Sequence, residues 1–299
     1  MKILILGSEG FIGNHLIEYF SIQGYNVYGC DLFEKPAKSY NYFRVGKAAF
    51  GREILNEKTF DVCINAGGNG NVPASITEPL LDFESNGVAT IRTLESIRLY
   101  SPECKYIHIS SAAVYGNPSR IPVVESDLLS PISPYGWHKL VAEKLCIEYN
   151  SIFNIRTAFV RPFSVYGPGL RKQIFWDLYQ KSFSDSKTVE LWGTGKESRD
   201  FIFIEDLMQI FKLIIEKGNF TGEVYNAGTG TETTISEVAG IFYQNLGKPK
   251  EIVFNGKVRE GDPINWMADI GKINALGFNP TVSISTGIKK LTEWMKGLN

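Results

Sequence analysis

Histidine is nearly absent from this chain, with three in 299 residues, and cysteine is almost as scarce, with four. Cys30, Cys63, Cys104 and Cys146 lie far apart, and three of them sit inside apolar or amphipathic runs with no His or Cys at ligand spacing. That pattern points away from zinc sites and disulfides and toward buried free thiols, so no metal is expected. Blocks of one charge are missing too. The 31 Lys and Arg against 32 Asp and Glu give a formal charge of −1 with no basic or acidic run, which leaves no electrostatic footprint for nucleic acid or anionic lipid. Nor is there a long hydrophobic run: the apolar stretch after Met1 ends at Gly7, too short for a signal peptide or a membrane span. A soluble cytoplasmic protein is the expectation. Repeats, low-complexity linkers and coiled-coil heptads are likewise missing. What remains, at 43% hydrophobic, can bury a large core as one large domain or two interlocked ones.

Glycine is present in a patterned place. The β-rich run Lys2 to Leu6 leads into Gly7-Ser-Glu-Gly10-Phe-Ile-Gly13 and then an amphipathic pattern through Ile17 and Phe20. Strand, glycine turn and helix are implied in that order, and the missing side chains let backbone N–H groups and a helix N-terminus approach a pyrophosphate. A second strand, Asn26 to Cys30, ends at Asp31, where a carboxylate accepts hydrogen bonds from adenosine ribose hydroxyls; a loop-capping aspartate is the structural alternative. No arginine follows closely, which favours NAD over NADP. Phe33 to Glu57 has no clean period and reads as a loop, a weak strand and a helix. Asp61 to Asn65 reads as a buried strand, and Ala66-Gly67-Gly68 after it offers small residues for a ligand to lie against. Leu80 to Leu99 has helical periodicity, with Leu81, Val88, Ile91, Leu94 and Ile97 on or near one stripe. Asn86 within it has two readings, a satisfied buried amide or a group orienting a water or a lysine.

A second cluster follows. Lys105 to Ile109 reads as a buried strand ending in Ser110 and Ser111, and ligands of open α/β sheets sit outside the carboxyl ends of strands. Ser133 to Lys139 reads Ser-Pro-Tyr-Gly-Trp-His-Lys, which places Tyr135 and Lys139 one turn apart on a helix face. An ammonium beside a phenol lowers its pKa and makes it a general base for an alcohol. His108 reads as a core or supporting residue and His138 as a surface one.

Taken together these segments resemble the extended short-chain dehydrogenases, specifically the NAD-dependent sugar-nucleotide epimerase/dehydratase group. The likeness is carried by Gly7 to Gly13, Asp31, Ser-Ser-Ala-Ala-Val-Tyr-Gly at 110–116, the 133–139 segment and Arg-Pro-Phe-Ser-Val-Tyr-Gly-Pro-Gly at 161–169. The resemblance implies an α/β fold: a Rossmann-type doubly wound parallel sheet with a smaller, interlaced α+β C-terminal substrate domain. The NAD-binding part is expected over 1–170, with 200–230 returning to it, and the substrate part over 171–299. It implies that Tyr135 is the catalytic base, that Lys139 binds the nicotinamide ribose, and that Ser111 hydrogen-bonds the reacting sugar hydroxyl. Gly7, Gly10, Phe11, Ile12, Gly13, Asp31, Ala66, Gly67, Tyr135, Lys139 and Pro162 are the expected NAD contacts. Dehydrating relatives resemble each other in an Asp-Glu pair after the serine, and decarboxylating relatives in a glutamate there. This chain has Ala112 and Ala113, which transfer no proton.

For the second half, the resemblance is carried by Val189 to Phe201 and by Arg259-Glu-Gly-Asp262. It implies that Arg199 and Arg259 hold the substrate pyrophosphate with a planar charged fork and that Asp262 meets the nucleotide ribose. Trp192 packs on the base by the same likeness, or is a partly buried core tryptophan. Arg171 and Lys172 add charge near the phosphates. Ser164 stands where the family has a substrate-binding asparagine, Ile64 to Gly68 departs from the usual His-Leu-Ala-Ala-type segment, and the Gly-Asp pair of the adenine pocket is missing near Val45 and Gly46. The expected activity is epimerisation of a nucleotide-activated hexose, at C4, in carbohydrate metabolism and polysaccharide biosynthesis. A nucleotide-sugar 4-keto reductase or dehydrogenase and a non-catalytic NAD-binding protein are the alternatives. Relatives commonly pair the helix near Leu80 to Leu99 with the one starting at Pro134, which implies a homodimer.

Overall fold

The computed structural model describes residues 1–34, 40–46, 52–257, 261 and 263–298. Along the chain, β1 (Lys2–Leu6), α1 (Phe11–Ile22), β2 (Asn26–Asp31), β3 (Asn41–Arg44), α2 (Arg52–Glu57) and β4 (Val62–Asn65) are followed by α3 (Val72–Thr77), α4 (Pro79–Phe83), α5 (Ala89–Tyr100) and β5 (Lys105–Ile109). Next come α6 (Pro134–Phe153), β6 (Thr157–Pro162), β7 (Ser164–Tyr166), α7 (Gln173–Lys181), β8 (Thr188–Leu191), β9 (Ser198–Phe203) and α8 (Ile204–Lys217). The chain ends through β10 (Thr221–Ala227), β11 (Glu232–Thr234), α9 (Ile235–Leu246), β12 (Glu251–Phe254), α10 (Gly271–Ala275) and α11 (Ile284–Lys296).

β1 is apolar after Lys2, and Ile3 through Leu6 are fully buried. A strand buried on both faces needs strands on both sides and helices above and below. β2 and β4 flank it in parallel, and the sheet grows to seven strands in the order β10-β6-β5-β4-β1-β2-β3. Every pairing is parallel. Strand order reverses between β1 and β4, and such a reversal opens a crevice at the carboxyl ends of the strands. The loops at that edge are Gly7 to Gly10 after β1, Ala66 to Gly68 after β4, and Ser110 and Ser111 after β5. Residues 221–227 complete the sheet beside β6 although they lie past residue 171.

The remaining chain forms a three-stranded sheet, β11-β9-β7, and a two-stranded one, β12-β8. One apolar cluster runs from Leu16 and Phe20 of α1 through Ile210 and Ile214 of α8 to Phe175, Phe242 and Leu291. This continuity makes the two sheet systems share a core. All four cysteines are buried free thiols. Among the described residues no helix is long and apolar enough to cross a membrane, and no group of three or more His, Cys, Asp or Glu could hold a metal.

The stripe expected over Leu80 to Leu99 is broken. α4 and α5 are joined by a π turn at Glu84–Val88, and an inserted residue advances the helix face by about 100°. Leu94 and Ile97 therefore enter the core, whereas Leu81 and Ile91 face outward. Two hydrogen bonds fix the turn: Asn86 Nδ2 donates to the Asp82 carbonyl at 3.1 Å, and Thr90 Oγ1 to the Asn86 carbonyl at 2.6 Å.

Candidate active site

The glycine loop is shaped by close backbone approach. Gly7 has φ +74°, and a Cβ on it would lie 2.6 Å from Gly67. A Cβ on Gly13 would lie 2.0 Å from the Gly7 carbonyl oxygen, so α1 packs onto the loop only because both positions are bare. Gly10 caps α1 without any side-chain hydrogen bond, and the N–H groups of Phe11, Ile12 and Gly13 in the first turn have no intrahelical acceptor. The cradle thus fits a dinucleotide pyrophosphate. Asp31 is buried at the end of β2, where its carboxylate accepts from Glu9 N at 2.9 Å and Leu32 N at 2.7 Å. Tyr40, in the stretch that gives no periodic signal, hydrogen-bonds Ser8 Oγ and the Glu9 carboxylate. It adds an aromatic wall over Gly29 and the Ser8–Glu9 loop that sequence reading missed. Ala66 and Gly67 meet the loop from β4, and Asn65 Oδ1 fixes the Gly67 N–H at 3.1 Å. Pro162 closes β6 at the same edge.

α6 begins where Ser133 Oγ accepts from Gly136 N at 3.2 Å, with Pro134 in the first turn. A Cβ on Gly136 would sit 2.7 Å from the Ala113 carbonyl oxygen. This close approach of α6 to the turn at Ala112–Tyr115 brings Tyr135 near enough to Ser111 for its hydroxyl to favour the ionised phenol. Ser111 Oγ also accepts from Ala113 N at 3.1 Å. Lys139, buried one turn on, donates to the Ile109 carbonyl at 2.9 Å, and its Nζ lies 5.8 Å from the Tyr135 ring centroid. Burial pushes the Tyr135 phenol up to about 12, with the Ser111 hydrogen bond pulling it back and the Asp82 charge pushing it up. Burial pulls Lys139 down to about 8. The expected lowering of the phenol by Lys139 is therefore corrected for the protein alone: desolvation raises the phenol, and the Lys139 ammonium is turned to a strand carbonyl.

Beneath this cluster lies a buried ion pair. Arg161 of β6 binds Glu143 of α6 through Nε to Oε1 at 2.9 Å and Nη2 to Oε2 at 2.7 Å. Ser110 Oγ donates to Glu143 Oε1 at 2.5 Å, and Arg161 Nη1 donates to the Tyr115 hydroxyl at 2.8 Å. Tyr115 in turn donates to Asn226 Oδ1 at 2.6 Å. Glu143 continues the Tyr135 and Lys139 face at the same four-residue interval, a signal the sequence offered. His108 is a core histidine held neutral by burial and by Lys139. His138 is not the surface residue expected: its Nδ1 lies 2.6 Å from Oδ2 of the fully buried Asp82, and its side chain is 16% exposed. The Asn86 amide is satisfied on its nitrogen only; its Oδ1 has no partner among the described residues.

The second half is less convergent. Arg199 Nη1 donates to the Ser198 and Ile264 carbonyls at 2.8 and 3.0 Å and lies over the Trp266 ring. Trp192 is exposed, so the core-tryptophan alternative falls away. Ser164 opens β7, half-buried, opposite Phe201. Arg171 lies against Trp176 and Trp294. Lys172, by contrast, reaches toward Gly70 and is close enough for its charge to act on Lys139. Arg259 and Asp262 lie outside the described residues.

Comparison with known proteins agrees with this arrangement. A profile described as the NAD dependent epimerase/dehydratase family matches residues 3–228. The putative UDP-glucose 4-epimerase of Methanocaldococcus jannaschii is 31% identical over 310 residues, covering 99% of each chain. The UDP-glucose 4-epimerase of Mycolicibacterium smegmatis is 28% identical over 316 residues, again covering 99% of each. The solved UDP-glucuronic acid 4-epimerase of Bacillus cereus, in complex with UDP-glucuronic acid and NAD, is 30% identical, covers 100% of both chains and superposes with a TM-score of 0.90. A profile match over three-quarters of the chain, on a seven-stranded parallel sheet with a glycine cradle at its switch point, establishes that the chain belongs to the NAD-dependent epimerase/dehydratase family.

Proposed function

We propose that this enzyme epimerises a nucleotide-activated hexose at C4 with NAD, using Ser111, Tyr135 and Lys139. The observation that carries the reading is Ser111 acting on the Tyr135 phenol at the carboxyl edge of the sheet, with Lys139 one turn on and Ala112 and Ala113 after the serine. NAD, when bound, supplies the acceptor and then the donor of the C4 hydrogen. Gly7 to Gly13 and Asp31 hold its pyrophosphate and ribose, with Ala66, Gly67 and Pro162 beside them. Ser111 Oγ holds the C4 oxygen, Tyr135 Oη removes its proton, and the same oxygen returns it after the sugar turns over. To act as that base the phenol must first give up its own proton to solvent, and Ser111 and Lys139 are the groups of this chain that stabilise the phenolate so formed. Dehydration would need a further acid and base next to Ser111, and two alanines provide neither.

Residues 171–299 supply most of the substrate side in this reading, with Arg199, Arg259 and Lys172 for the pyrophosphate and Trp192 and Asp262 for the nucleoside, while Ser164 from the first part meets the sugar. Leu80, Leu81, Ile91, Trp137 and Val141 form an exposed apolar face on α4, α5 and α6, which a second copy of the chain covers in a homodimer. The deciding experiment incubates the enzyme with a panel of nucleotide sugars and identifies products by NMR, with and without added NAD. Interconversion of C4 epimers with no net cofactor consumption supports the proposal. Stoichiometric consumption of nicotinamide would make it a keto reductase or dehydrogenase instead.

A further inference from the structure

Lys139 is buried and must carry a charge to act on Tyr135, so some anion has to balance it. The charged and titratable groups that face it are few. Lys172 opposes it from the segment before α7, and His108 on β5 is neutral. Glu143 and Cys146 share its own helix, but burial holds the Cys146 thiol protonated, and both Glu143 oxygens are taken by the Arg161 guanidinium. Asp82, on α4 against α6, remains. It is fully buried; Oδ2 meets His138 Nδ1 at 2.6 Å, while Oδ1 has no hydrogen-bond partner among the described residues. Four residues on, Asn86 Oδ1 is a second buried oxygen without a partner. Such oxygens are costly unless a positive charge nearby uses their field.

We propose that Asp82 is a positioning residue for the Tyr135–Lys139 pair: its buried carboxylate supplies the negative charge that holds Lys139 as an ammonium ion, and His138 caps it and fixes its orientation. The role rests on Lys139 being the acting cation of the proposed function. The Asp82 charge bears upward on both Lys139 and Tyr135, as a carboxylate facing both would. It works against the burial of the lysine and against Lys172. His138, packed beside the Phe83 ring, holds Oδ2 of this carboxylate in place.

The test is an NMR titration of Lys139 in NAD-loaded protein labelled at lysine Cε, with Lys139→Met identifying the resonance. Asp82→Asn keeps the shape and removes the charge, and the Lys139 midpoint is expected to fall by about half a pH unit or more. The alkaline limb of turnover falls with it. A purely structural role would change melting or overall rate and leave the midpoint in place, and an unmoved midpoint overturns the assignment. Should Asp82→Asn fail to fold, His138→Gln decides: it leaves the Asp82 carboxylate in place with a donor beside it, so the midpoint stays at the wild-type value, and a fall overturns the idea. A shifted midpoint in a protein that turns over no nucleotide sugar would refute the proposed activity and leave this role standing.

Discussion

Replacing Glu143 by alanine strands the Arg161 guanidinium in the interior. Both side chains are at most 4% exposed, and the substitution removes two charge-assisted hydrogen bonds from Arg161 and the acceptor of Ser110. Breaking a buried pair from one side costs about 3–5 kcal/mol, most of it the uncompensated charge. For a chain of 299 residues the unfolding entropy is about 0.6 kcal/mol per degree. The expected fall in melting temperature is therefore about 5–8 °C, read by circular dichroism at one scan rate. The double replacement Glu143→Leu with Arg161→Met removes both charges, and recovery of much of the loss is expected, with the coupling given by the double-mutant cycle. If Glu143→Ala melts within about 1 °C of wild type, water reaches Arg161 and the pair is not the buried anchor described here.

Tyr135→Phe is expected to lose about two to four orders of magnitude in turnover while retaining NAD; epimerisation at the parental rate would remove Tyr135 from the mechanism. Lys139 is pulled down to about 8 in the fold against about 10.4 unfolded, so between those values the unfolded chain binds more protons and stability rises with pH. In urea unfolding without cofactor, wild type should gain on Lys139→Met by on the order of 3 kcal/mol across that window, and a flat difference refutes the burial argument. Trp137→Glu puts a charge on the exposed apolar face and is expected to turn a dimer into a monomer in sedimentation velocity; wild type running as a monomer at micromolar concentration would rule out that use of the face.

Much of the sheet was legible because its strands are buried on both faces and read as unbroken apolar runs, as β1 and β4 do. β3 was only a weak strand in sequence, since an edge strand of four residues with a half-buried pattern carries little period. The π turn at Glu84–Val88 was invisible for another reason: side-chain amides and hydroxyls that bond back to the helix leave no mark on hydrophobic periodicity. Asn86, within that turn, is buried, and Asp82 is buried one turn before it on α4.

The Tyr135–Lys139 pair shows where spacing stops being sufficient. A four-residue interval puts two side chains on one face of a helix, but their electrostatics depend on what else each of them touches. Here the ammonium is bonded to the Ile109 carbonyl and the phenol lies beside Ser111, and burial moves the two groups apart, the phenol up to about 12 and the amine down to about 8. Proton transfer near neutral pH requires narrowing that gap, so the residues that matter after Tyr135 and Lys139 are those that change the charge around them. Ser111 pulls the phenol down, and Asp82 keeps the amine charged at the cost of raising the phenol. An anion that helps one partner and hinders the other is tolerable only if its own charge is moderated. His138 Nδ1, 2.6 Å from Oδ2, provides that moderation by hydrogen-bonding the carboxylate.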